Sequence, residues 1–156
     1  MAENPDLETS IREILDSQGV AVLSTRGEEY PHACLVAFTF TPDLTSIAFA
    51  TSRTSRKYDN IKQDGRASIL VDTRTNTESD FHKAAVVSAQ GGIEEVTGIQ
   101  ADRMEELFLE RHPYLESFLN APTTALMEMK VSSYALVSRF QNVLILDMEH
   151  GTAHRS

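Results

Sequence analysis

Ile47-Ala48-Phe49-Ala50-Thr51-Ser52-Arg53-Thr54-Ser55-Arg56-Lys57-Tyr58-Asp59-Asn60-Ile61 changes character half-way along. Up to Thr51 it is an apolar run of strand length. Beyond it, Ser55 is a good N-cap and Asp64-Gly65 a good stop, so residues 56–63 read as a short helix. The turn between them carries four hydroxyls, on Thr51, Ser52, Thr54 and Ser55. Arg56 and Lys57 then fall on the first two helical positions. The partly positive end of a helix disfavours cations there, by a few tenths to about 1 kcal/mol. An anion held between those cations and the free backbone N–H groups reverses the sign, and a phosphate monoester wants this set of donors. The spacing alone fits two readings, a phosphate site or a capped surface helix with solvated charges.

Outward from this stretch the chain reads as short strands with few helices. Residues 1–19 form an N-terminal helix, with Leu7, Ile11, Ile14 and Leu15 on one face and Gly19 as its stop. Residues 20–25, 33–40 and 46–51 are consecutive antiparallel strands, broken at Gly27 and at Thr41-Pro42-Asp43. Residues 66–72 make a fourth strand. A polar loop over 73–80 leads to a fifth strand over 84–96, with a bulge or bend at Gly91-Gly92. A second longer helix spans 100–112, turns Met104, Leu107 and Phe108 to the core and ends at Pro113. Two or three more strands follow near 125–131, 134–139 and 143–148, and the polar tail 149–156 is expected to be loose. The fold class is α+β, and closure of the strands into a barrel removes exposed edges. No repeat or linker interrupts the chain, so 156 residues are expected to form a single domain.

Composition narrows the function classes. Acidic residues outnumber basic ones, 23 to 14, for a formal charge of -9. That balance opposes general binding to nucleic acid but allows one small anion at a locally basic spot. No apolar run approaches the length of a membrane span, and the start Met-Ala-Glu-Asn-Pro-Asp is polar and acidic, unlike a signal peptide. A single cysteine, Cys34, excludes an internal disulfide. The expected setting is cytoplasmic.

The strand ending Phe49-Ala50-Thr51, the short gap, Ser55-Arg56-Lys57 opening a helix and the turn Gln63-Asp64-Gly65-Arg66 together resemble the pyridoxamine 5'-phosphate oxidase-like, FMN-binding split-barrel family. Tyr30-Pro31-His32-Ala33-Cys34-Leu35-Val36 is similar to the family's Pro-His-x-Ser strand, with Cys34 where Ser is usual. The resemblance runs over roughly residues 10 to 100. It implies a six- to seven-stranded antiparallel split β-barrel with flanking helices, and FMN as cofactor. It places Arg56 and Lys57 on the FMN phosphate, with Ala50, Thr51, Ser52 and Ser55 beside it through backbone or hydroxyl groups. It runs Ala33, Cys34, Leu35 and Val36 along the isoalloxazine ring, mostly through backbone atoms. It also implies a homodimer with flavin between the subunits. The true pyridoxamine phosphate oxidases carry a C-terminal tryptophan and an Arg-x-His element. This chain has no tryptophan and shows Arg139-Phe140-Gln141-Asn142 in its last strands, so oxidation of pyridoxamine 5'-phosphate is not expected.

The remaining chemistry-bearing residues have bland readings. Cys34 sits in an apolar strand and reads as a structural thiol. His32, near the implied flavin, is a candidate for contact with cofactor or substrate. His82 and Lys83 read as a solvated loop, and His112 as a cation suited to a helix end. Glu94-Glu95 and Glu105-Glu106 read as surface charge pairs. No His/Cys/Asp/Glu set has metal-ligand spacing. Two function classes stay open: an FMN-dependent oxidoreductase acting on a small molecule, and a non-enzymatic electron carrier or flavin- or haem-binding module.

Overall fold

In the computed structural model, residues 5–139 and 142–156 are described. The first four residues of the expected N-terminal helix and the pair Phe140-Gln141 lie outside them. Helix α1 (Pro5–Ser17) turns Leu7, Ile11 and Leu15 inward, as its periodicity requires. Strands β1 (Val20–Arg26), β2 (Pro31–Phe40) and β3 (Ser46–Ser52) follow, then helix α2 (Arg56–Gln63) and strand β4 (Arg66–Asp72). The short helix α3 (Asp80–Lys83) precedes β5 (Ala85–Glu95) and helix α4 (Gly98–Arg111). A 3-10 turn (Pro113–Leu115) and helix α5 (Glu116–Leu119) lead to β6 (Thr124–Ser138), β7 (Asn142–Asp147) and β8 (Thr152–Arg155).

All pairings are antiparallel, in the order β3-β2-β1-β4-β5-β6-β7-β8, and β3 also pairs with β6. That last pairing closes six strands into a barrel. Strand β6 makes the split. Its first half, Thr124 to Lys130, pairs with β3, and Ser133 to Ser138 leaves along β7. Strand β5 follows the other edge of β6, with a register shift between Gln90 and Gly91. A Cβ at Gly91 would fall on the Lys130 carbonyl oxygen, so only glycine lets the strands approach there. Leu23, Phe38, Phe49, Ile69, Val87 and Met127 fill the core with the apolar face of α1. Helix α4 lies against β2, β3 and β6, buries Met104 and Phe108, and leaves Leu107 half-buried.

Two expectations differ from the structure, and a third gains detail. The strands expected over 125–131 and 134–139 are one continuous β6, because Ser132-Ser133 contains no residue that must break a strand. The expected polar loop over 73–80 is present, and the Asp80 carboxylate braces it by accepting N–H groups from Thr75, Asn76 and Thr77. The tail is not loose: β8 pairs with β7, from Asp147 opposite Thr152 to Leu144 opposite Arg155. Its turn is held by Asp147, which accepts the N–H groups of Glu149 (2.9 Å) and His150 (3.2 Å), and by Gly151 at a φ of 61°.

Candidate functional site

The turn from β3 into α2 is built by its own hydroxyls. Ser55 caps the helix, accepting the Tyr58 N–H at 3.3 Å. Thr51 Oγ1, buried, lies 3.0 Å from Ser55 Oγ. Ser52 Oγ accepts the Thr54 N–H at 3.2 Å and lies 2.9 Å from the Thr54 hydroxyl. The N–H groups of Arg56 and Lys57 have no acceptor among the described residues, and neither side chain has a carboxylate partner there. Two unmatched cations and two unmatched backbone donors therefore share the first turn of α2.

Arg53, in the middle of the same turn, is fully engaged elsewhere. Its N–H donates to Thr123 O at 2.9 Å, and its guanidinium donates to Pro122 O (3.0 Å) and Glu95 Oε2 (2.9 Å). Glu95 Oε1 accepts the Tyr58 hydroxyl at 2.9 Å. The Arg53 and Tyr58 bonds hold the Glu95 carboxyl below its ordinary range against the opposing effect of burial.

A cleft of about 340 Å³ opens beside the turn. Thr51, Ser52, Ser55 and Lys57 form its polar end, and Leu35, Val36, Phe108, Leu115 and Phe118 are among the residues of its apolar end. Ala50 lies on the same wall. Seven of the ten expected site residues thus meet at one cleft. Ala33, Cys34 and Arg56 do not line it. The first two lie earlier along β2 than Leu35, Val36 and Ala37, which reach the cleft; Ala33 points outward with Leu35, and Cys34 points toward the barrel with Val36. The Cys34 thiol contacts Leu23 O at 3.8 Å. Burial pushes it above its ordinary range, partly offset by the positive charge of Lys57.

His32 has a buried Nδ1 with no hydrogen-bond partner among the described residues. His82 is exposed at the end of α3, away from the cleft lining. His112 is not a surface cap but is buried: its Nε2 lies 2.7 Å from the Phe38 carbonyl, which only accepts, so Nε2 carries the proton. Its Nδ1 lies 3.3 Å from the Tyr114 hydroxyl. His112 thereby ties the segment bearing Leu115 and Phe118 to β2. A larger groove, about 800 Å³, runs between α2, β5 and β6, but its charges are largely matched, Arg66 to Asp64 and Lys130 to Glu128. Among the described residues no cluster could hold a metal ion, and no helix is long and apolar enough to cross a membrane.

Comparison with known proteins joins this geometry to a family. The family model described as pyridoxamine 5'-phosphate oxidase matches residues 7–138. The chain belongs to this family. A search of curated proteins finds no match. Among solved structures, a heme binding protein from Mycobacterium smegmatis superposes with a TM-score of 0.83 at 18% identity, over 95% of this chain and 60% of that one. A FAD-binding protein from Mesorhizobium loti gives 0.64 at 10% identity, over 82% and 91%. A Clostridium acetobutylicum protein related to general stress protein 26 gives 0.74 at 14% identity, over 97% and 100%. At these identities the likeness shows the fold. The chain spans about 60% of the length of the Mycobacterium protein. In this member of the pyridoxamine 5'-phosphate oxidase family the cleft is made by the β3–α2 turn, β2, α4 and the segment from Leu115 to Phe118.

Several cleft and support residues were not singled out in the sequence. Leu115 and Phe118 have helical i, i+3 spacing after Pro113, which signals a shared face but not what it covers. Glu95 looked like half of a surface charge pair, and nothing local links it to Arg53.

Proposed function

We propose that the cleft binds FMN and that the protein is a flavin-dependent oxidoreductase acting on a small molecule. The observation that carries this reading is the unmatched donor set at the start of α2, contiguous with an apolar slot. A phosphate would satisfy the N–H groups of Arg56 and Lys57 together with their two side chains. The slot lined by Leu35, Val36, Phe108 and Phe118 suits a flat apolar ring. FMN would supply the redox chemistry when bound. This chain's residues would grip the phosphate, hold the ring against β2 and keep water from one of its faces.

The fit favours a second copy of the chain over the ring. Leu35 is 69% exposed and Val20 is 51% exposed. The outward row Leu35, Val22, Leu70, Ser88, Ala135 crosses five paired strands without a charge. The adjacent row Ala33, Ser24, Ser68, Gln90, Ser133 is also uncharged. A wide uncharged face beside the cleft suits a homodimer whose partner completes the site.

The visible spectrum of freshly purified protein tests the cofactor, with titration of FMN and riboflavin into protein stripped of ligand. A flavin spectrum and a clear preference for FMN are expected. Equal affinity for both flavins would remove the phosphate site. The likeness to a heme binding protein gives a second reading, a haem-binding module, for which a Soret band on haem titration is the signature. Turnover with NADH or NADPH and a dye separates the oxidoreductase from a flavin-bearing carrier.

A further inference from the structure

We infer that Glu95 is a positioning residue for the phosphate end of the cleft, holding the β3–α2 turn in its binding shape without touching the ligand. The inference rests on the phosphate reading above. Glu95 sits at the end of β5 and reaches both sides of the turn, through Arg53 in its middle and Tyr58 in the first turn of α2. Arg53 carries the restraint onward to the loop before β6, through Pro122 O and Thr123 O. One carboxylate thus fixes the spacing between the hydroxyls of Thr51 and Ser52 and the unmatched donors of Arg56 and Lys57. It also occupies Arg53, which would otherwise be a third mobile cation beside the site.

Electrostatics and positioning predict opposite signs. A carboxylate near an anion site repels the anion, so deleting it should strengthen FMN binding if charge alone matters. If Glu95 acts by holding the turn, deleting it should weaken binding. Supporting groups around a binding centre are commonly worth about tenfold to a hundredfold.

The experiment measures FMN and riboflavin affinity of wild type, Glu95→Ala, Glu95→Gln and Tyr58→Phe, with melting curves of the ligand-free proteins. The amide side chain introduced by E95Q would keep the geometry, its carbonyl accepting from Arg53 and its NH2 donating to the Tyr58 oxygen, while removing the charge. The expected result is a loss of about tenfold or more in FMN affinity for E95A. Y58F should show a smaller loss, E95Q an affinity at least equal to wild type, and riboflavin affinity should stay the same throughout. Melting curves together with riboflavin binding separate loss of the turn from loss of the fold. Stronger FMN binding in E95A overturns the inference in favour of simple repulsion. A loss in E95Q as large as in E95A overturns it too, because a side chain that keeps both hydrogen bonds would then fail to keep the site. A wild type that does not prefer FMN to riboflavin overturns the phosphate reading and this inference with it. An unchanged preference in E95A overturns this inference alone.

Discussion

Replacing both Arg56 and Lys57 by alanine separates a ligand site from a decorated helix. In the ligand-free protein neither side chain has a carboxylate partner among the described residues, and both sit where the helix end disfavours cations. Their removal should therefore leave stability unchanged or raise it by a few tenths of a kcal/mol. In the complex each would make a charge-assisted hydrogen bond to phosphate, worth about 1.5–3 kcal/mol. Arg56 is exposed and Lys57 half-buried, so the lower end of that range applies. Two contacts then sum to about 3 kcal/mol, or roughly a hundredfold in affinity. Riboflavin lacks the phosphate and should bind both proteins alike. The assay is fluorescence titration of both flavins into ligand-free wild type and variant, with thermal melts alongside. Unchanged FMN affinity would put the phosphate elsewhere. A variant that unfolds would make the two side chains structural. A further check is internal to the cleft: losing Lys57 removes the charge that lowers the Cys34 thiol, so alkylation of Cys34 should slow in the variant.

Other outcomes follow from the same structure. The purified protein should release no hydrogen peroxide with pyridoxamine 5'-phosphate at rates near an ordinary turnover of about 1–10 per second; such rates would show that the missing tryptophan and Arg-x-His element are dispensable. Light scattering should give a dimer, and Leu35→Asp, exposed in one copy, should give a folded monomer with weakened FMN binding; a wild-type monomer with full affinity would refute the shared site. His150 gains Asp147 in the folded turn, so its pKa is raised above the ordinary 6.5. That support is complete below about pH 6.5 and is lost as pH rises through the raised value, so amides of β8 should lose hydrogen-exchange protection there, beyond the intrinsic rise in rate, and His150→Ala should abolish the excess.

The two halves of the cleft were unequally legible for a physical reason. The polar half is local. From Thr51 to Tyr58 every capping bond joins residues two to four apart, so N-cap chemistry and helix-end electrostatics disclose it from seven or eight letters. The barrel was legible in the same way, because Gly27, Pro42 and Gly65 mark its turns. The apolar half is assembled across the chain: Leu35 lies on β2, Phe108 on α4 and Phe118 on α5, and only the closure of β3 onto β6 and the His112 bond to Phe38 bring them together. Glu95 lies 42 residues from Arg53, and its partner is set by where β5 ends. The hairpin of β7 and β8 was missed although its signal is local. Asp147 and Gly151 make the turn, and a polar composition hid it. This division has a consequence for the site. The contiguous turn supplies the donors, and distant residues set their pose and the shape of the slot. Changes at Arg56 and Lys57 should therefore discriminate by the ligand's charge. Changes at Phe108, Leu115 or Phe118 should discriminate by the ligand's ring and treat FMN and riboflavin alike.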